Sequence, residues 1–207
     1  MVLSIRDVLA HELDSVLALN NAAGSTILPL DAAALGALYE ASSYFRLAEV
    51  DGHVAGFLPA MREHAKYDSP NFLWFRERYP AFAYIDRIVI ARPYRGLGLG
   101  RVFYADVNSY AETRVPHLAC EVFLEPRDDV SLLFHGTWGF QEVGQQLMPS
   151  NGRRVALLAK TLCSFPYVRD TYRLDAGGGL PDVPWLAEGG RSNAPLGQRV
   201  VRAAGGA

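Results

Sequence analysis

The spacing of apolar residues in the first half of the chain predicts a strand, two helices and a β-hairpin. Residues 2–6 have strand-like spacing, and two stretches with helical spacing follow, the second beginning after Asp31, a residue type that favours helix N-caps. Two apolar runs, residues 44–50 and 53–58, then flank Asp51-Gly52. Because both central residues of a tight hairpin turn take positive φ, Asp-Gly between two apolar runs favours a hairpin.

In the second half, a glycine-rich turn separates a strand from a helix. Residues 82–90 form an apolar run, residues 98–113 have helical spacing, and residues 117–124 again resemble a strand. A strand, a glycine turn, a helix and a strand predict a βαβ unit, whose two strands are parallel. The remaining elements are a helix capped by Asp128 or Asp129 and strands at residues 139–147 and 153–161.

The segment between the two halves, residues 62–80, has no clean period and is rich in aromatic residues. Its length exceeds that of most structureless loops. Either a functional loop or lid, or a helical turn that only covers the core, fits this composition. For the functional interpretation, we predict that Tyr67, Asp68 and Trp74 contact a substrate.

Composition limits the classes of protein that fit this pattern. The chain has 207 residues, half of them hydrophobic, and a formal net charge of −2. Disordered chains are poorer in apolar residues, and a chain that binds nucleic acid or an anionic membrane usually carries an excess of basic residues. We therefore expect a globular protein that binds neither nucleic acid nor a membrane.

The two cysteines, Cys120 and Cys163, are too few for a disulfide framework or a four-cysteine zinc site, and no metal site is predicted. We interpret them as core thiols in a reducing compartment. No apolar run has the length of a membrane helix or a signal sequence. A cytoplasmic location is therefore expected.

The composition changes at about Ser164, after which glycine and proline become frequent. Such a composition favours an extension of the domain over a second core. We therefore predict one domain at residues 1–163 and a Gly/Pro-rich C-terminal extension at residues 164–207.

The segment with the clearest chemistry is Arg95-Gly96-Leu97-Gly98-Leu99-Gly100-Arg101, which lies between a strand and a helix. Glycines let the backbone approach a ligand closely, and a helix N-terminus attracts anions, so this turn suits a phosphate or pyrophosphate. The dinucleotide-binding pattern is excluded because it needs glycine where Arg101 stands. The P-loop is excluded because it needs Gly-Lys-Ser/Thr after the glycines, which the chain lacks. A third pattern, [Gln/Arg]-x-x-Gly-x-[Gly/Ala], is matched by Arg95, Gly98 and Gly100. A glycine turn that only packs the helix on the sheet is the alternative.

With its flanking elements, this turn resembles the GNAT superfamily of N-acetyltransferases. The resemblance spans about residues 2–162 and includes the order of the elements and Ser131–His135 followed by Trp138-Gly139-Phe140. Residues 67–71 are similar to a bacterial branch of the superfamily. The resemblance implies an α/β fold: a mixed, mostly antiparallel sheet, with one parallel strand pair splayed at the cofactor site and helices on both faces.

The resemblance also implies acetyl-CoA as acetyl donor. The strand backbone would pair with the pantetheine arm, the glycine loop would hold the pyrophosphate, and a later helix would contribute two residues. These residues are Ile88, Val89, Ile90, Arg95, Gly96, Leu97, Gly98, Leu99, Gly100, Arg101, Ser131 and Phe134.

Acetyl transfer to an amine needs a neutral nitrogen, a donor for the oxyanion and, where the thiolate requires it, a proton for the leaving group. Asp86 and Glu121 are charged residues in strands otherwise expected to be buried. We predict that one of them anchors the substrate or acts as a base, and that Tyr84, on the same strand face as Asp86, contacts the substrate. A structural salt bridge is the alternative. His135 stands where the superfamily often has a proton-donating tyrosine, and we predict an acid role for it, with simple packing as the alternative.

We therefore expect an acetyl-CoA-dependent N-acetyltransferase that acts on a small-molecule or amino-acid-like amine. A non-catalytic acyl-CoA sensor or interaction module is the second hypothesis, because His135 departs from the usual tyrosine. A nucleotide-dependent enzyme is the third. The resemblance also implies a homodimer, because members of the superfamily often pair through their last strands.

Overall fold

The computed structural model of the chain describes residues 2–149, 151–181 and, as backbone, 199–202. The chain divides into two units. The first unit comprises Met1–Pro59, Arg87–Asp106 and Pro181–Ala207, and the second comprises Ala60–Asp86 and Val107–Leu180.

The elements follow the order that the sequence predicts, with additions. The described helices are α1 (Leu13–Asn21), α2 (Ala32–Ala41), α3 (Pro70–Arg78), α4 (Leu99–Glu112), α5 (Asp129–Thr137) and α6 (Phe165–Tyr172). The described strands are β1 (Val2–Asp7), β2 (Tyr44–Val50), β3 (His53–Arg62), β4 (Ala83–Ile85), β5 (Val89–Ile90), β6 (His117–Phe123), β7 (Gln141–Leu147), β8 (Arg154–Thr161) and β9 (Arg199–Arg202).

In the first unit, β1 lies between β2 and β9 and is antiparallel to both. Asp31 caps α2, since its carboxylate accepts from Ala34 N–H at 2.7 Å. The hairpin turn between β2 and β3 has φ values of 49° at Asp51 and 81° at Gly52. Both local predictions are confirmed.

A buried polar network ties α4 to the strands of the first unit. Asp106 is 6% exposed, and its carboxylate accepts from Tyr44 Oη at 2.7 Å and from Arg46 Nη1 at 2.6 Å. Arg46 Nε also donates to Asp7 at 3.1 Å. The charge of Asp106 is thus compensated within the core, as a buried carboxylate requires, and α4 is fixed to β1 and β2.

In the second unit, β6 pairs in parallel with β4 and antiparallel with β8, which in turn pairs with β7. The mixed, mostly antiparallel sheet with one parallel pair confirms the predicted fold class. The single strand predicted at residues 82–90 is wrong: it is interrupted at Asp86–Ile88. The parallel ladder between β4 and β6 accordingly contains only Ala83↔Leu118 and Tyr84↔Ala119.

The aromatic segment at residues 62–80 contains helix α3, with Pro70 at its start, where the missing proline N–H costs no helical hydrogen bond. Phe72 and Phe75 are fully buried. The segment thus contains a helix that covers the core, and its contact with a substrate stays a prediction.

The predicted extension begins with an ordered element, since α6 spans Phe165–Tyr172. The part at residues 182–198 and 203–207 lies outside the described residues, so the division at residue 163 stays a prediction. Cys120 is buried, as expected, but Cys163 is exposed. The interpretation of Cys163 as a core thiol is wrong, because it follows the end of β8 at the surface.

Candidate active site

The glycine loop of the first unit presents its backbone to solvent. Gly96 and Gly98 have φ values of 81° and 83°, and a Cβ atom on either would meet nothing within 4 Å. Gly98 O accepts the first two bonds at the start of α4, from Arg101 N–H at 3.0 Å and from Val102 N–H at 3.2 Å. Amides that precede Arg101 have no intrahelical acceptor. The loop therefore has the open backbone and the helix N-terminus that a pyrophosphate needs.

Arginine side chains attach the glycine loop and the residues before β5 to the end of α1 and to the segment that follows it. Arg95 donates to Ile90 O at 3.0 Å and to Ala23 O at 2.9 Å. Arg87 donates to the side chain of Asn20 at 2.8 Å, and Asn20 is 1% exposed. Arg87 and Asn20 are not apparent from the sequence, because their pairing joins residues far apart in the chain.

Strand β5 pairs along one edge with β3, its only partner strand among the described residues. Gly56 lies opposite Ile90, and a Cβ atom on Gly56 would be 2.6 Å from Val89 O. Gly56 is therefore required for the close approach of β5. A glycine inside an apolar strand is a sequence signal of such an approach. The second edge of β5 is the one predicted to bind pantetheine.

In the second unit, the hydroxyl of Tyr84 donates a short hydrogen bond to the carboxylate of Glu121. The parallel register explains the contact: Tyr84 is opposite Ala119, and Glu121 lies on the same face two residues later. Burial, and then the charges of Glu121 and Asp86, raise the pKa of Tyr84 well above its usual value. The phenol is therefore neutral and remains a donor at physiological pH.

A second tyrosine–carboxylate contact lies in the same unit. Tyr67 Oη donates to Asp86 Oδ1 at 2.6 Å, and its ring packs edge-on against Phe72 at 5.8 Å between centroids. Together with Tyr84 and Glu121, these residues form what we call the tyrosine–carboxylate cluster (Tyr67, Tyr84, Asp86 and Glu121). Asp68 is exposed, and its contact with a substrate stays a prediction.

Trp74 lies close to Gly144 of β7 and to a guanidinium. A Cβ atom on Gly144 would be 2.7 Å from Trp74 Cζ2, and Arg78 lies 4.2 Å over the indole ring. These are contacts within the protein, and the substrate role of Trp74 stays a prediction.

His135 is held at the end of α5 by local contacts. Its Nδ1 is 2.7 Å from Ser131 O, so Nδ1 carries a proton and donates. The ring packs edge-on against Phe134 and Phe140. Burial lowers the pKa of His135, so the ring is neutral near pH 7. The Ser131 hydroxyl donates to Asp128, the N-cap of α5. These contacts favour a structural role for His135, and its acid role stays a prediction that a variant can test.

The stability of the protein is expected to depend on pH through His135. The folded state has a pKa below the ordinary value of 6.5, so the unfolded chain binds the proton more readily. The contribution of neutral His135 to the free energy of unfolding is present above about pH 6.5 and is lost as the pH falls through the folded-state pKa. Urea unfolding from pH 8 to pH 5 should give a shallower loss of unfolding free energy for His135→Asn than for wild type. His53→Gln, at an exposed position, should keep the wild-type slope; an unchanged slope in His135→Asn would contradict this origin.

Comparison with known proteins identifies the class to which this fold and loop belong. The model of the acetyltransferase (GNAT) family matches residues 15–140. The chain belongs to the GNAT acetyltransferase family. It is an N-acetyltransferase with acetyl-CoA as its cofactor.

Solved structures share the fold at low sequence identity. Ard1 from Thermoplasma volcanium is 18% identical with a TM-score of 0.62, and the alignment covers 78% of this chain and 99% of that one. Ribosomal-protein-alanine N-acetyltransferase from Brucella melitensis is 22% identical with a TM-score of 0.59, and the alignment covers 76% of this chain and 99% of that one. Arabidopsis thaliana Naa50, in complex with the bisubstrate analogue CoA-Ac-MVNAL, is 16% identical with a TM-score of 0.58 and coverages of 77% and 99%. None of the curated proteins matches the sequence.

Helices long and apolar enough to cross a membrane are absent from the described part of the chain. The cytoplasmic location and the homodimer expected from the sequence stay predictions.

Proposed function

We propose that the protein transfers the acetyl group of acetyl-CoA to the amine of a small molecule or an amino-acid-like acceptor, by direct attack on the thioester. The observation that carries the proposal is the tyrosine–carboxylate cluster, in which a buried neutral phenol donates to Glu121. Such a group of titratable residues, in a chain of the acetyltransferase family, is a candidate for acid–base chemistry.

The first unit contributes a strand and the glycine loop to donor binding. Acetyl-CoA supplies a thioester, which is already reactive toward a neutral amine. Backbone amides between Arg95 and Arg101 bind the pyrophosphate, which is supported by the positive φ values and the open space at Gly96 and Gly98. The backbone of residues 88–90 pairs with the pantetheine arm along the second edge of β5.

The second unit prepares the acceptor. At physiological pH an aliphatic amine is mostly an ammonium ion, and it must lose a proton before it attacks. Glu121 or Asp86 attracts the ammonium and removes this proton, directly or through a water molecule. The neutral nitrogen would then bond to the thioester carbon as the C–S bond breaks, and CoA would leave as a thiolate that takes a proton from solvent. Tyr84 and Tyr67 hold the two carboxylates in position through their hydroxyl groups. Positioning of the nitrogen supplies the remaining rate enhancement.

A second candidate function is an acyl-CoA sensor without turnover. The observation that favours it is the state of His135, which is neutral, buried and bonded to Ser131 O. A neutral imidazole with its proton on Nδ1 donates to a leaving thiolate only after it has been protonated at Nε2. The sensor would bind acetyl-CoA and gain stability without forming an acetylated product.

The test is a turnover assay with purified protein, acetyl-CoA and a panel of amines: spermidine, free amino acids, an aminoglycoside and an alanyl peptide. Release of the CoA thiol is followed in solution, and the acetylated amine is identified by mass spectrometry. We expect steady turnover with at least one small amine. Stabilisation by acetyl-CoA without any product would support the sensor, and product with the alanyl peptide alone would overturn the small-molecule acceptor.

A further inference from the structure

Helix α3 packs on β7 through the indole ring of Trp74. The ring occupies the space that a side chain at Gly144 would fill. A Cβ atom on Gly144 would lie 2.7 Å from Cζ2 and 3.2 Å from Cη2 of Trp74. Contacts below 3.0 Å are sterically excluded for a Cβ atom, and the φ of Gly144 lies outside the left-handed region. Glycine is therefore needed at this position for the indole and not for the backbone conformation.

Two further features fix the helix at the same place. The register between β7 and β8 shifts between Glu142 and Gly144, which indicates a β-bulge. Gln146, on the same strand as Gly144, donates from Nε2 to Asn71 Oδ1 at 3.2 Å, and Asn71 is 1% exposed. Asn71 and Trp74 thus attach α3 to β7 at two points, and Arg78 of the same helix lies over the indole ring.

Aromatic side chains of α3 connect the contact between Trp74 and Gly144 to Tyr84 by direct packing. The rings of Trp74 and Phe75 lie 5.1 Å apart, and those of Phe75 and Tyr84 lie 6.0 Å apart. Phe72 also contacts the Tyr84 ring at 5.7 Å. Phe72, Phe75 and Tyr84 are all fully buried. The position of the phenol is thus set by the position of α3, since densely packed interiors transmit displacements.

We propose that Gly144 and Trp74 are positioning residues for the Tyr84–Glu121 pair. They act through Phe72 and Phe75, which place the phenol so that its hydroxyl reaches the carboxylate. This inference rests on the proposed function, in which Glu121 belongs to the acid–base machinery. A methyl group on Gly144 would displace Trp74 and α3, and the displacement would reach the Tyr84 hydroxyl.

The expected consequence is a loss of turnover without a loss of donor binding. A displacement of about 1 Å in reacting groups can cost about 100-fold in rate, so Gly144→Ala is expected to lower kcat by about 10-fold or more. The dissociation constant of acetyl-CoA should stay within about twofold, because neither Gly144 nor Trp74 is among the residues proposed to bind it.

The experiment is a double-mutant cycle of Gly144→Ala, Trp74→Phe and the combined variant. Phenylalanine lacks the Cζ2 and Cη2 atoms of the indole and makes room for the new methyl group. Steady-state kinetics use the panel amine with the fastest turnover, and acetyl-CoA binding is measured by calorimetry. Hydrogen exchange of residues 63–82 gives a readout that needs no acceptor. Gly36→Ala is the matched control, since a Cβ atom on Gly36 meets nothing within 4 Å.

Support for the inference requires three results: reduced kcat and faster exchange at residues 63–82 in Gly144→Ala, unchanged acetyl-CoA affinity, and kcat in the double variant no lower than in Trp74→Phe. Wild-type kcat in Gly144→Ala would overturn it. Equal losses of turnover and acetyl-CoA affinity would also overturn it, because they indicate general destabilisation. A wild-type protein that acetylates no amine in the panel would overturn the proposed function, and this inference with it.

Discussion

Replacement of Gly98 by glutamate is expected to abolish the thermal stabilisation that acetyl-CoA gives to the wild-type protein. At about 100 times its dissociation constant, a specific ligand adds about 2.7 kcal/mol, which raises the melting temperature of a protein of this size by roughly 5–10 °C. The glutamate would place a carboxylate among the amides that are proposed to bind the pyrophosphate. It would also force a side chain onto a φ of 83°. Differential scanning fluorimetry with and without acetyl-CoA measures the effect.

The matched control is Gly52→Glu in the β2–β3 turn. Gly52 has a φ of 81° and the same open space around its Cβ position, so the cost of the backbone strain, about 1–3 kcal/mol, is similar. Both variants should melt earlier than wild type without ligand, but only Gly52→Glu should keep the acetyl-CoA shift. If acetyl-CoA raised the melting temperature of Gly98→Glu as much as that of wild type, the glycine loop would not bind the donor.

Glu121→Gln is expected to give the largest loss of turnover among single variants. The glutamine side chain keeps the size of the glutamate and can still accept from the Tyr84 hydroxyl, so the packing of the second unit should survive. It cannot take a proton from the acceptor amine. Loss of a general base typically lowers the rate about 100- to 10,000-fold. The ratio of kcat to KM for the best panel amine should fall by that amount, with acetyl-CoA binding unchanged.

Glu125→Gln is the control for Glu121→Gln, because Glu125 follows β6 but is exposed and pairs with Arg154 at 3.4 Å. It should retain wild-type turnover. Wild-type activity in Glu121→Gln, together with a large loss in Asp86→Asn, would transfer the base role to Asp86. Wild-type activity in both would remove the carboxylates from the chemistry.

Features set by residues near one another in sequence could be predicted. Asp31 caps α2 by bonding to an amide three residues away, and Asp51-Gly52 turns the hairpin through its own φ preferences. The glycine loop at the start of α4 could be predicted for the same reason. Glu121 and Asp86 could be selected because charge inside an apolar run of sequence is unusual, which is a local signal.

Features that depend on packing between distant residues could not be predicted. Helix α3 has polar residues on its exposed side and aromatic ones against the core, but its pattern is too short for a clear period. The pairing of Tyr84 with Glu121 follows from the parallel register, and the contact between Trp74 and Gly144 follows from the bulge in β7. Neither partner of these pairs indicates the other in the sequence.

The environments of the two cysteines give the chain unequal thiol reactivity. Cys120 is 2% exposed, and burial raises the pKa of its thiol, so it is both shielded and protonated. Cys163 is exposed just before α6. Alkylating reagents attack the thiolate at an accessible position, so a maleimide dye would attach to Cys163 alone in the folded protein. The molecule thus carries a natural labelling position on its second unit, and a second equivalent of dye would report its unfolding.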